Sequence, residues 1–92
     1  MFRMYDAPRV EVELQADKDL MDAMIDRFGP DIRINDCSQD CFSIAATVSL
    51  GAPFYSWVFG FQGKVKILSP QNVKDKYQQM VQAAYISMSK AE

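Results

Sequence analysis

The chain has no histidine, and only two cysteines, four glycines and one tryptophan among its 92 residues. Lack of histidine removes the usual general base near neutral pH, the commonest metal ligand and any Ser-His or Cys-His nucleophile pair. No convergent acidic pair stands in for them, so the expected protein is not an enzyme, and no catalytic, cofactor or metal residue is assigned. Two thiolates without imidazole fall short of the four ligands of a structural zinc site. Cys37 and Cys41 are therefore read as ordinary reduced thiols ahead of a metal or redox site. Charge of one sign is scarce too: ten basic residues oppose twelve acidic ones, for a net charge of −2. A basic footprint for a nucleic-acid backbone is missing. No apolar run reaches the length of a membrane span, and the start Met1-Phe2-Arg3-Met4-Tyr5-Asp6 lacks the apolar stretch of a signal peptide. A cytoplasmic location without membrane contact is expected.

What the chain does have is 49% hydrophobic content, enough for one core. So short a chain buries a small share of its surface, which makes support from a neighbouring domain or a second copy plausible.

Val10, Val12, Leu14 and Ala16 alternate with Arg9, Glu11, Glu13 and Gln15, the period of a strand buried on one face. Asp17 is placed as the cap of a helix carrying Leu20, Met21, Met24, Ile25 and Phe28, which Gly29 and Pro30 stop. Ile32 and Ile34 mark a short second strand, and the polar stretch 36–40 a hairpin turn. The third strand sets Phe42, Ile44, Ala46, Val48 and Leu50 against Ser43, Ala45, Thr47 and Ser49. Pro53 suits the first turn of a helix with Phe54, Tyr55, Trp57, Val58 and Phe61, and the glycines at 60 and 63 end it. Residues 64–68 form a fourth strand, and Ser69 and Pro70 open a last helix running to about Met88.

This order predicts an α+β, ferredoxin-like βαββαβ domain with a four-stranded antiparallel sheet, order 4-1-3-2, plus a C-terminal helix. On the open face Lys64 and Lys66 are expected beside Glu11 and Glu13, with Ser43, Ala45 and Thr47 next and Arg33 at the far edge. That face lacks the aromatic platform on which an RNA-recognition domain stacks bases. The loop after strand one, Ala16-Asp17-Lys18-Asp19, lacks the glycines and arginine of a phosphate cradle, and the cysteines lie outside it.

Phe54, Tyr55, Trp57, Phe59 and Phe61 crowd five aromatics into eight residues. Most are read as core, and those pointing away from the sheet as contacts to a partner. The last helix bears the stripe Val73, Tyr77, Met80, Val81, Ala84, Tyr85, Met88, longer than one sheet edge covers. Either its outer half meets something else or the helix folds back over the open face; both readings stand. The candidate partner-interface residues are Tyr55, Trp57, Phe61, Tyr77, Met80, Tyr85 and Met88.

The segment Ser56-Trp57-Val58-Phe59-Gly60-Phe61-Gln62-Gly63-Lys64-Val65-Lys66-Ile67-Leu68-Ser69-Pro70 resembles the C-terminal extension, WCX, that follows the WYL domain in many bacterial transcriptional regulators. Met4-Tyr5-Asp6-Ala7-Pro8 with Val10-Glu11-Val12 is similar to the hinge entering that extension, and Ile25-Asp26-Arg27-Phe28-Gly29-Pro30-Asp31 to the end of its first helix. Gln62 and Asn72 depart from the pattern, standing where glycine and an acidic residue are common. The resemblance implies a ferredoxin-like fold, a hinge over 1–8 and a WCX domain over 9–92. It also implies a parent regulator whose N-terminal winged helix reads DNA and whose WYL domain senses a ligand or nucleic acid. The expected role is dimerisation and allosteric coupling of ligand sensing to DNA binding, with the WYL domain and a second subunit as partners. The alternative is a small-molecule-binding regulatory module of ACT-like type.

Overall fold

Alternation of apolar and polar residues builds β1 over Arg9–Asp17, with Val12, Leu14 and Ala16 wholly inside. The computed structural model describes residues 8–29 and 32–90, apart from the side chains of Asp36 and Cys37. The expected hinge over 1–8 lies outside the described residues except for Pro8, whose carbonyl accepts the Leu50 N–H at 2.8 Å. Pro30, expected to help stop the first helix, lies outside them as well.

A 3-10 turn over Lys18–Leu20 leads into α1, Met21–Phe28. Asp17 does not cap this helix with its side chain, contrary to expectation. It ends β1 instead, its N–H donating to the Lys64 carbonyl at 3.2 Å, which leaves three residues to turn the chain before α1 starts. Gly29 closes α1 at φ 70°, a conformation that costs glycine little.

β2, Arg33–Cys37, and β3, Cys41–Ser49, form the hairpin. The turn is shorter than the stretch 36–40 because Asp36 and Cys37 pair with Ser43 and Phe42. The helix α2, Ala52–Phe59, follows with proline in its first turn, and β4 runs over Val65–Ser69. The last helix, α3, spans Gln71–Lys90. Its start differs from expectation: Ser69 belongs to β4, and the Pro70 carbonyl accepts from the Val73 and Lys74 N–H groups at 3.1 Å.

The four strands form one antiparallel sheet ordered β2-β3-β1-β4, which is 4-1-3-2 read from the other edge. Met24 of α1, Phe54 and Val58 of α2 and Val73 of α3 join one cluster with Leu14, Ile44, Val48 and Ile67. All three helices therefore contribute to a single core on one side of the sheet. Each large apolar side chain so enclosed stabilises the fold by ~1.5–3 kcal/mol.

The other side is polar. Lys66 stands opposite Gln15, so the expected row of lysine beside glutamate does not form in that register, which is shifted by an irregularity between Glu13 and Leu14. Glu11 pairs instead with Arg33, Oε2 to Nη2 2.8 Å, across the short side chains of β3. Ser43 and Ala45 are buried on this face as small residues between longer neighbours, and no helix among the described residues covers them.

Candidate interaction surface

The aromatic residues of α2 separate into two groups because a helix of eight residues faces both of its neighbours. Trp57 turns toward α1. Its ring meets Phe28 edge-on at 5.3 Å and Phe61 edge-on at 5.0 Å, and the Arg27 guanidinium lies 5.5 Å from the centres of both Trp57 and Phe28. Trp57 and Phe61 are thus half-buried in a contact that ties the end of α1 to the end of α2.

Tyr55 turns toward α3. It is buried, lies against Phe54 at 5.5 Å, and stacks on Tyr77 at 6.2 Å with planes 11° apart. Burial pushes the hydroxyls of Tyr55 and Tyr77 above their ordinary pKa. Beside this stack a groove of about 210 Å³ runs between the two helices, lined by Tyr55, Ser56, Phe59, Tyr77, Met80 and Ala84.

Beyond the stack α3 leaves the body. Twenty residues make a helix ~30 Å long, against ~12 Å for α2. The radius of gyration, 14.3 Å, exceeds the ~12 Å of a compact chain of this length. Val73 is buried and Tyr77 half-buried, while Tyr85 and Met88 are 67% and 66% exposed. Because Val73 and Tyr77 sit in the core on the helical side, α3 does not fold back over the open sheet face.

The seven expected interface residues therefore occupy three places. Trp57 meets α1 with Phe61 packed against it, Tyr55 and Tyr77 join α2 to α3 with Met80 at the groove, and Tyr85 and Met88 stand on the free half of α3. Phe59, 55% exposed, belongs to the groove although it was not singled out among them; its place one turn after Tyr55 was the signal. Arg27 carried no such signal, because its contact with two rings spans two helices.

No protein-family model, curated protein or solved structure matches the chain. The surface has to be interpreted from its own chemistry. Among the described residues no group of three cysteine or carboxylate side chains could hold a metal ion. The Cys41 thiol lies 3.3 Å from Gln15 Nε2 and 3.4 Å from Ser38 Oγ, while the side chain of Cys37 lies outside the described residues. No helix among the described residues is long and apolar enough to cross a membrane. What the arrangement offers is apolar contact area, concentrated on α3 and the adjoining edge of α2.

Proposed function

We propose that residues 9–92 are a ferredoxin-like accessory domain that works by contact, the C-terminal extension of a WYL-type DNA-binding regulator, aiding dimerisation and coupling ligand sensing to DNA binding. The observation that carries this reading is the apolar stripe of α3, which continues past its own core for nearly half the helix. Tyrosine and methionine are enriched at the centres of protein interfaces, where charged residues are depleted. The strand order 4-1-3-2 is compatible with a ferredoxin-like fold, and the DNA-binding context of this reading rests on the resemblance of the motif 56–70.

Light scattering on the parent regulator, with and without residues 9–92, tests the proposal. The deletion is expected to shift the parent toward monomer; a parent that dimerises equally well without these residues refutes it. The parent's coding sequence ahead of Met1 is expected to encode a helix-turn-helix and then a WYL segment.

A second reading, an ACT-like ligand-binding module, is favoured by one feature. A cleft of about 500 Å³ opens where α2 begins, lined by Arg9, Arg27, Phe28, Thr47, Ser49 and Gly51. Its volume lies within the ~300–1,000 Å³ of small-molecule sites. Binding there would raise the melting temperature by mass action, so a metabolite screen giving no thermal shift removes this reading.

A further inference from the structure

Resting on the reading of this domain as a contact module, we infer that its second copy is held by α3 itself, two such helices crossing antiparallel about a two-fold axis at Ala84. From Tyr77 to Ser89 the helix has no charged residue, so its exposed half meets an identical helix without like-charge repulsion. Ala84 is the small residue of the stripe, with Met80 one turn before it and Met88 one turn after. A two-fold axis at Ala84 sets Ala84 against its own copy and Met80 against Met88 of the partner subunit, in both directions. Each exposed side chain is then used twice, as an isologous contact requires. A small residue at the crossing lets the axes approach to the near end of the ~8–10 Å range of packed helices.

The body of the domain selects the direction. It sits on the first half of α3 through Val73 and Tyr77, so an antiparallel pair keeps the two bodies at opposite ends, where a parallel pair would drive them together. The open area is of the size that marks a contact. Phe59, Met80, Tyr85 and Met88 are 55%, 37%, 67% and 66% exposed and leave roughly 450 Å² of side chain open. An apolar patch of ~300–600 Å² on a monomer often marks a functional contact, and these four side chains alone fall within that range.

Cysteine cross-linking of the full chain tests the crossing, in a Cys37→Ser, Cys41→Ser background. Ala84→Cys is expected to give a disulfide-linked dimer on mild oxidation, since Cβ atoms at a two-fold crossing can come within the ~3.5–4.5 Å that a disulfide spans. Ile86→Cys, ~200° round the helix from Ala84, is expected to stay monomeric on a non-reducing gel. In sedimentation, Ala84→Arg should weaken self-association on the order of a hundredfold by burying an unpaired charge. A chain that is monomeric throughout, a dimer indifferent to Ala84→Arg, or cross-linking at Ile86→Cys in place of Ala84→Cys would each overturn the inference. The deletion experiment on the parent reads the broader proposal separately, so the crossing can fail while the contact role stands.

Discussion

Tyr55 of α2 and Tyr77 of α3 lie nearly parallel, 6.2 Å between ring centres, and this stack is where the projecting helix is joined to the body. One ring is buried and the other half-buried, so the pair, together with Val73, holds the first half of α3 against the core.

Tyr77→Ala is expected to cost ~2 kcal/mol, less than the ~3–5 kcal/mol of a fully buried aromatic because Tyr77 is partly open to water. Urea denaturation measures it. A change within ~0.5 kcal/mol, the usual range for a surface site, would mean that the stack does not anchor α3.

The same two hydroxyls make the fold sensitive to alkali. Their pKa values are raised from an ordinary 10.0 by burial, so the folded chain keeps protons that the unfolded chain has begun to release. Their contribution is full below pH 10.0 and is lost as pH rises through the folded-state values. The urea midpoint should fall less steeply above pH 10.0 in the double variant Tyr55→Phe, Tyr77→Phe than in the natural chain. Equal slopes would remove burial of these tyrosines as the cause.

Gln62 sits at φ 57°, in the left-handed region that costs a side-chain-bearing residue ~1–2 kcal/mol. Gln62→Gly relieves that strain and loosens the unfolded chain, for a net gain of ~0.5–1 kcal/mol, or several degrees in Tm. Gln62→Val should lower Tm, since a branched side chain is worse in that region. Calorimetry that ranked valine above glycine would contradict the assigned backbone.

Arg27→Ala is expected to cost about 0.5–1 kcal/mol through loss of its contact with two rings, and Trp57→Ala about 3 kcal/mol through loss of the rings themselves. The Trp57 fluorescence of the Arg27 variant should shift as the indole gains water. An unmoved spectrum would place the guanidinium elsewhere in solution.

Glu11→Gln is expected to change stability by less than ~1 kcal/mol, because its partner Arg33 and the carboxylate are both more than half exposed. Salt should shrink the difference between the two proteins further. A larger loss, or one insensitive to salt, would show that the pair is better shielded than its exposure implies.

Much of this architecture was legible along the chain because it rests on periodicity. The alternation from Val10 to Ala16, the helical spacing of Met21, Met24 and Phe28, and the breaks at Gly29 and Gly51-Ala52-Pro53 each state a local preference that the fold keeps. Helix starts were less legible. Asp17 and Ser69 are good capping residues, yet both were taken by strands, since pairing satisfies their backbone groups. The candidate surface was legible only as surplus: the α3 stripe can be counted in the sequence, but not where its cover ends.

Composition and spacing alone determined that this chain lacks imidazole chemistry, that its strands and helices come in the order observed, and that its last helix carries more apolar surface than one sheet needs. Tertiary structure decided which of that surface is spent internally. The Glu11–Arg33 pair, the Arg27 contact with Trp57 and the Tyr55–Tyr77 stack each join elements 22 or more positions apart. Such contacts depend on register and on the angle between packed helices. A local pattern records only which face of an element is apolar, and leaves open which neighbour that face will meet.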